Sequence, residues 1–346
     1  MSGIAKLGTK ALHAFPPEMA HGLSLKALKA GLVPVPPLVP DPVLHTTLAG
    51  LALPNPVGLA AGYDKNGEVI DPLLRLGFGF VECGAVTPRP QAGNPRPRVF
   101  RLSADQAVIN RMGFNNAGLV ALKARLSARL GRPGIVGVNL GANKDAEDRT
   151  EDYVTSLTAL EGLADFFTVN ISSPNTPGLR ALQSKAALDD LLARVMAAKG
   201  AAPVFLKVAP DLKEEDLADI AASVIEHKLD ALIVSNTTIE RPESLTSPDR
   251  AEGGGLSGRP LFERSTALLR AFAQTLGGKV PLVGVGGIED ATTAYAKIRA
   301  GAAAVQLYSA LIFKGPGLVA EINRGLAERL KADGFASVSA AVGSEL

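Results

Sequence analysis

The sequence predicts a (β/α)₈ barrel with a small N-terminal helical extension, and three patterns favour this fold. Eight short apolar runs recur from residue 55 onward. Amphipathic, helix-like stretches separate them, as a parallel sheet covered by helices requires. Polar residues follow the runs directly, at the strand ends where barrels collect their functional groups. The first run lacks a following Gly-x-Gly-x-x-Gly fingerprint, so an open dinucleotide-binding sheet is not favoured.

The first forty residues are basic and amphipathic. Four lysines (Lys6, Lys10, Lys26 and Lys29) accompany one acid, Glu18. Apolar residues recur at helical intervals, at Ile4, Leu7, Ala11, Leu25, Leu28 and Leu32. Pro17 is placed to begin a second helix, and residues 33–40 are typical of a stiff linker. This pattern fits either a helical pair packed on the main domain or a membrane-surface anchor. We expect residues 1–40 to form this segment and residues 41–346 the barrel.

The eight runs give the strands in order. They are residues 56–60, 79–86, 134–140, 166–171, 204–208, 231–235, 281–285 and 303–307. Residues 213–228 illustrate an intervening helix, because their apolar residues form one stripe and acids crowd the first turn. Residues 87–116 and 236–262 are unusually long connections, and the glycine run of the second makes it the better candidate for a mobile lid.

Composition excludes several classes of function. With 36 basic and 34 acidic side chains the net charge is +2, which gives no electrostatic case for nucleic-acid binding. The single cysteine, Cys83, lies in a predicted strand, where we expect it to pack in the core. No zinc-like spacing exists, so we expect no metal site. We also expect neither a spanning helix nor a secretory signal.

Carboxamides and one lysine are concentrated at the predicted strand ends. Asn139, Asn170 and Asn236 belong to three different strands, and amides suit a ligand with amide and carbonyl edges. Lys207 lies within an apolar strand and should point into the barrel mouth. It could form a structural ion pair, form a Schiff base or hold an electron-rich cofactor atom by its charge. Gly286-Gly287 and Tyr308-Ser309 follow strands seven and eight, where barrels commonly bind phosphate.

Taken together, these segments strongly resemble the dihydroorotate dehydrogenases, in particular their membrane-associated, quinone-dependent class 2. The matching stretches are residues 58–65 (GLAAGYDK), 87–95 (TPRPQAGNP), 110–116 (NRMGFNN), 170–176 (NISSPNT), 254–260 (GGLSGRP) and 284–288 (GVGGI). The resemblance runs from about residue 5 to residue 330. It implies oxidation of (S)-dihydroorotate to orotate in pyrimidine (UMP) biosynthesis.

The resemblance implies FMN as cofactor. The implied FMN-binding residues are Ala61, Gly62, Tyr63, Asp64, Lys65, Ala85, Asn139, Asn170, Lys207, Ser235, Gly258, Gly287, Tyr308 and Ser309. Many relatives have a hydroxyl residue at position 85, so the alanine here puts a side-chain hydrogen bond at that position in doubt. Lys207 then stabilises the reduced flavin by its charge rather than forming a Schiff base.

The resemblance also implies the substrate site and the base. Substrate contacts fall on Lys65, Asn110, Arg111, Met112, Gly113, Phe114, Asn170, Asn175, Asn236 and Thr237. Ser173 would remove the C5 proton while the C6 hydride goes to the flavin. A free serine is a weak base, so its surroundings must activate it. Soluble class 1 relatives have a cysteine at this position.

Electrons would then pass to ubiquinone or menaquinone along a path lined by His21 and Arg101, with Tyr308 nearby. We expect a peripheral protein, a monomer, on the cytoplasmic face of the cell membrane. Three alternatives remain: a soluble dihydroorotate oxidase using fumarate or NAD, a Lys207 Schiff-base barrel aldolase, and a barrel that only binds a ligand.

Overall fold

A computed structural model describes residues 3–176 and 178–346, without the side chains of residues 3–6. The positions predicted at Ile4 and Lys6 therefore lie outside the described side chains. The strands are β1 (Thr46–Leu48), β2 (Leu51–Leu53), β3 (Val57–Leu59), β4 (Phe80–Val86), β5 (Val99–Leu102), β6 (Ala107–Asn110), β7 (Ile135–Leu140), β8 (Phe166–Asn170), β9 (Val204–Val208), β10 (Ala231–Val234), β11 (Gly255–Gly258), β12 (Leu282–Val285) and β13 (Ala302–Leu307). The helices are α1 (Gly3–His13), α2 (Pro17–Lys29), α3 (Ile70–Leu74), α4 (Leu119–Ser127), α5 (Arg149–Leu160), α6 (Lys185–Ala198), α7 (Glu214–Glu226), α8 (Phe262–Leu276), α9 (Ala291–Arg299), α10 (Ser309–Lys314), α11 (Leu318–Ala332) and α12 (Val338–Ala341).

Eight parallel strands close into a barrel in the order β3-β4-β7-β8-β9-β10-β12-β13. These are the eight predicted runs, so the predicted (β/α)₈ barrel is confirmed. The runs are continuously apolar because helices cover the outside while side chains fill the inside. On β7 and β9, for instance, nearly every residue is buried.

The floor of the barrel is packed with aromatic rings. Phe166 stacks on Phe205 with ring centroids 4.7 Å apart, and Phe80 meets Phe166 edge to face at 6.0 Å. These phenylalanines lie at or near the amino ends of their strands. Leu48 and Leu53 of the β1–β2 hairpin pack against them. The hairpin therefore plugs the end of the barrel opposite the candidate site.

The two long connections are joined by a sheet that the sequence did not predict. Strands β5 and β6 come from the first connection, β11 comes from the second, and all three pair antiparallel in the order β11-β6-β5. A small apolar cluster supports this sheet, with Ile109 and Leu256 fully buried. Residues 236–262, the better candidate for a mobile lid, are thus hydrogen-bonded to residues 87–116 through this sheet.

The N-terminal helices pack over the end of the barrel where the strands have their carboxyl ends, opposite the β1–β2 hairpin. Pro17 begins α2, as predicted. Arg98 is buried and holds Glu18 of α2 through a 2.7 Å ion pair. Apolar residues of this segment remain exposed: Leu7, Phe15, Met19, Leu32, Val35, Leu38 and Val39. Over the described part of the chain, none of the helices has both the length and the apolar character needed to span a membrane.

Candidate active site

One cavity of about 570 Å³ extends from the carboxyl ends of the barrel strands to α1 and α2. On the way it passes the three-stranded sheet β11-β6-β5, called the inserted sheet below. It brings together most of the residues predicted for the site. They are His21, Ala61, Gly62, Tyr63, Lys65, Ala85, Arg101, Asn110, Met112, Gly113, Phe114, Asn139, Asn170, Ser173, Asn175, Lys207, Ser235, Asn236, Thr237, Gly258, Gly287, Tyr308 and Ser309. Their common placement follows from the barrel, because strand carboxyl ends share one face.

Two predicted residues do not line this cavity. Asp64 is buried, and its carboxylate accepts the backbone N–H groups of Glu68 and Val69 at 2.8 and 2.7 Å. Arg111 instead forms a 2.6 Å ion pair with Glu252. Asp64 therefore shapes the turn after β3, and Arg111 fastens the two long connections to each other.

A chain of polar side chains rises through the barrel to the cavity. Asn139 donates to the carboxylate of Glu82 at 2.6 Å, and Asn170 donates to the Asn139 carbonyl at 2.9 Å. Gln306 donates to the other oxygen of Glu82 at 2.5 Å. Sequence reasoning missed Glu82 and Gln306. A polar residue within an otherwise apolar strand is the signal that could have found them.

Two lysines, the buried Lys207 and the partly exposed Lys65, bring positive charge to the cavity. Within the described chain, Lys207 has no hydrogen-bond or ion-pair partner, and burial lowers its pKa although the charge of Glu82 opposes the shift. Lys65 donates to the Gly62 carbonyl at 2.7 Å. Burial, reinforced by Arg98, lowers the pKa of Lys65 to about 8. Both amines can serve an anionic ligand, since neither forms a direct ion pair with the residues that the structure describes.

Ser173 follows β8 and is buried at the cavity wall. Its Oγ accepts the backbone N–H of Asn175 at 3.3 Å. Within residues 3–176 and 178–346, no group accepts the proton of this hydroxyl in return. The hydroxyl is therefore free to exchange a proton with a ligand or a water in the cavity.

Glycine is required in the turn after β12, where this turn approaches α8. Gly287 has φ of +74°, and a Cβ there would lie 2.4 Å from the Cβ of Phe262. No other residue could keep this turn so close to the start of the helix. The turn lines the cavity, so its backbone can approach an anion such as phosphate.

An aromatic cluster separates the barrel mouth from the N-terminal helices. Tyr63 and Tyr308 meet edge to face at 5.4 Å, and the His21 ring lies 5.2 Å from Tyr63. Ser24 of α2 hydrogen-bonds the Tyr63 hydroxyl at 2.9 Å. Burial and the nearby Lys65 charge lower the pKa of His21 to about 3, so this imidazole is neutral near pH 7.

Arg101 lies where the cavity passes the end of α1. It donates to the carbonyls of His13 and Phe15 at 2.9 and 3.2 Å. A cation at a helix carboxyl end stabilises the exposed carbonyl groups there. Arg101 thus holds the end of α1 against the inserted sheet while also lining the cavity.

Outside the cavity, two predictions concerned the cysteine and metals. Cys83 is fully buried, as expected, and burial raises the pKa of its thiol well above the ordinary value. Asp189, Glu226 and His227 bring three potential ligand atoms within 4.8 Å of one another. The ammonium group of Lys185 already pairs with Asp189 at 2.7 Å, so this lysine balances charge in the cluster.

Fold and site define the class of protein: a (β/α)₈-barrel enzyme with a polar site at the strand carboxyl ends and an N-terminal helical cover. The family model for dihydroorotate dehydrogenase matches residues 43–330. A dihydroorotate dehydrogenase (quinone) of Parvibaculum lavamentivorans is 62% identical over 95% of each chain. One from Brucella anthropi is 56% identical over 98% of this chain and 96% of the relative.

Solved structures agree with these relatives. The crystal structure of the Eimeria tenella enzyme in complex with ferulenol superposes with a TM-score of 0.92 at 40% identity and covers 95% of both chains. Its ligand-free form gives the same TM-score. The chain belongs to the dihydroorotate dehydrogenase family, in its quinone-dependent group. The family is flavin-dependent and its quinone-dependent group is membrane-associated, and the soluble oxidase and aldolase alternatives are not favoured.

Proposed function

We propose that this dehydrogenase uses FMN, with Ser173 as the base, to oxidise dihydroorotate to orotate and then reduces a membrane quinone. The observation that carries the proposal is Lys207. It is a buried cation, unpaired within the described chain, in a cavity lined by carboxamides. Such a charge is costly unless a ligand balances it, and a reduced flavin would do so.

The residues present fit FMN. The Gly287 turn offers backbone close to an anion, which suits the phosphate. Asn139 and Asn170 suit the ring edge, and a buried acceptor, Gln306 Oε1, has no partner in the described chain. FMN contacts are proposed for Ala61, Gly62, Tyr63, Lys65, Ala85, Asn139, Asn170, Lys207, Ser235, Gly258, Gly287, Tyr308 and Ser309, with Asp64 supporting the turn. When bound, FMN would supply the acceptor for the hydride of the substrate C6 and the carrier of two electrons to the quinone.

Substrate would lie between the amides and Ser173. Asn110, Asn175, Asn236 and Thr237 offer donors and acceptors for its ring, and Lys65 offers a charge for its carboxylate. Met112, Gly113 and Phe114 complete the wall, and Arg111 secures it from behind. Ser173 would take the C5 proton and pass its own hydroxyl proton to a water in the cavity, because no group of the described chain accepts that proton.

Quinone would enter between α1 and α2. The cavity reaches both helices, and His21 and Arg101 line it there. We therefore propose residues 1–40 as the quinone-access segment and residues 41–346 as the catalytic barrel. The exposed apolar residues of that segment support contact with a membrane surface. We further propose a monomer at the cytoplasmic face of the cell membrane that does not bind nucleic acid; the quinone is ubiquinone or menaquinone.

The test is the visible spectrum of the purified protein. Flavin bands that bleach when dihydroorotate is added without oxygen, and return when quinone is added, are expected. Released cofactor should be FMN rather than FAD by chromatography. A colourless protein, or bands unchanged by dihydroorotate, would overturn the proposal.

A further inference from the structure

The buried carboxylate of Glu82 has no role in the proposed chemistry, although it lies directly beneath the cavity. Its side chain is fully buried inside the barrel. A buried carboxylate needs hydrogen-bond donors, and it receives them from two amides, Asn139 at 2.6 Å and Gln306 at 2.5 Å. An ionised carboxylate can only accept hydrogen bonds. Both amides must therefore turn their NH₂ groups toward Glu82 and their carbonyl oxygens away from it.

This orientation passes from one side chain to the next. The Asn139 carbonyl, facing away from Glu82, accepts the amide of Asn170 at 2.9 Å. The Asn170 carbonyl then accepts the hydroxyl of Ser172 at 2.9 Å. The Ser172 oxygen accepts the amide of Asn236 at 2.9 Å. Every donor in the chain thus points toward Glu82.

The far end of the chain lies at the proposed substrate site. Asn236 has its carbonyl fixed by the backbone N–H of Thr237 at 2.8 Å. Asn170, Asn236 and Thr237 all line the cavity. A carboxamide can present either edge to a ligand, so a ligand with a fixed pattern of donors and acceptors needs this choice to be made beforehand.

We infer that Glu82 is a positioning residue for substrate recognition, because it fixes the direction of the hydrogen-bond chain that runs from the barrel core to Asn170 and Asn236. Without an acceptor-only group at its base, the direction of the hydrogen-bond chain would be held only from its far end, by the backbone N–H groups of Ser172 and Thr237 that donate to the carbonyls of Asn170 and Asn236 at 3.3 and 2.8 Å. In the reverse direction, Asn170 would turn its amide toward Ser172. The inference rests on the proposed function, since it takes orotate as the ligand read by these amides.

Glu82→Gln is the direct test. Glutamine keeps the shape of the side chain but offers an amide donor and a carbonyl acceptor. The hydrogen-bond chain is therefore no longer forced into one direction. Orotate is titrated into oxidised holoenzyme, and binding is followed by the change in the flavin absorption. The dissociation constant should rise roughly tenfold to a hundredfold, as expected when one or two hydrogen bonds are lost or reversed.

A paired exchange separates direction from packing. In the double variant Glu82→Gln with Gln306→Glu, a carboxylate remains in the core, and the amide at position 82 donates to it. The carbonyl at position 82 is then left to accept Asn139, so the original direction is kept. Orotate affinity should return to within about threefold of wild type. A role in packing alone would give no such rescue.

The matched control is Thr168→Val. Thr168 is fully buried on the inner face of β8, and its hydroxyl has no partner in the described chain. This change should leave orotate affinity unaltered. Wild-type affinity in Glu82→Gln would overturn the inference, as would an exchange variant that folds and retains FMN but binds as weakly as the single variant. If Glu82→Gln does not fold, the exchange variant alone decides. Absence of flavin from the wild-type protein would instead refute the proposed function.

Discussion

At the scale of single residues, the cavity contains several ionisable groups with very different environments. Lys65 has a pKa of about 8, lowered first by burial and then by the charge of Arg98. Glu18 and Asp64 oppose that shift. The neighbouring aromatic groups do not ionise in the same range. The pKa of His21 is about 3, and burial raises the pKa of the Tyr308 hydroxyl. We therefore attribute a pH effect near 8 to Lys65, and a Lys65 variant separates it from Lys207, whose pKa burial also lowers.

Substrate binding should weaken in alkali because of Lys65. Its protonated form attracts the substrate carboxylate, and that form is lost as pH rises through about 8. The KM for dihydroorotate should therefore be level below this pH and rise about tenfold per pH unit above it. Steady-state rates over a pH series measure this. In Lys65→Gln the KM should be high throughout, and a surviving transition there would assign the effect to another group.

Ser173→Ala should slow reduction of the flavin by roughly two to four orders of magnitude, because the proposed base is removed. FMN should stay bound, since the carboxamides, Lys207 and the Gly287 turn are unchanged. Anaerobic stopped-flow absorption measures the rate. Ser156→Ala is the control, because Ser156 is a fully buried serine of α5 whose hydroxyl has no partner in the described chain. Equal rates in both variants would exclude Ser173 as the base.

At the scale of elements, the strands and helices of the barrel follow from the apolar pattern alone. Runs such as residues 204–208 are unambiguous because they are buried on both faces. The inserted sheet could not be predicted in the same way. Its strands have four residues each, and their pairing joins segments that lie about 150 residues apart. Such pairing depends on tertiary contacts that local sequence does not encode.

Glu18 joins α2 to the segment that precedes β5 through ion pairs with Arg98 and Arg96. Burial alone would raise the pKa of Glu18, but hydrogen bonds from Arg98 and Arg96 outweigh it and lower the pKa. Arg98 is buried and also donates to the carbonyls of Ala92 and Asn94 at 2.7 and 2.9 Å. Loss of Glu18 would therefore leave a buried charge without its counter-ion.

Glu18→Gln should lower the free energy of unfolding by about 2 kcal/mol near neutral pH. Urea denaturation measures this. Since the folded pKa lies below the ordinary value of 4.5, the contribution is complete above that pH and disappears as pH falls through the folded pKa. Glu240→Gln is the control, because its ion pair with Arg264 is exposed and should contribute less than about 1 kcal/mol. A pH-independent difference would argue against the ion pair.

At the scale of the whole molecule, the N-terminal segment is one wall of the cavity rather than a separate attachment. Helix α2 contributes His21, and its Ser24 bonds Tyr63 of the barrel. The basic, amphipathic pattern predicted two helices correctly, with Pro17 at the start of the second. Their placement over the barrel mouth came only from the family resemblance, because helical periodicity does not say where a helix packs.

Deleting residues 1–40 should abolish quinone reduction but leave flavin reduction by dihydroorotate largely intact. The deletion removes His21 and the wall around it, whereas Ser173, Lys207 and the carboxamide chain belong to the barrel. The two half-reactions are measured separately, by anaerobic bleaching and by reoxidation with a quinone. Equal loss of both would mean that the segment only supports the fold.

The residues of the candidate site were easier to predict from the sequence than the hydrogen bonds and ion pairs that join them. Polar residues at strand ends identify the wall of the cavity, since the barrel brings those ends together. Glu82 and Gln306 were missed because their strands otherwise resemble core. Asp64 and Arg111 lie within the matching motifs but do not line the cavity, and membership of a motif cannot reveal that.

The Tyr63–Tyr308 pair at the cavity also has an optical consequence. The chain contains no tryptophan and only four tyrosines, so tyrosine dominates its ultraviolet emission. Two of the four line the cavity, in contact with each other and with His21. A bound chromophore that absorbs near-ultraviolet light would quench this emission by energy transfer. We therefore expect the intrinsic fluorescence of the unlabelled protein to report occupancy of this cavity.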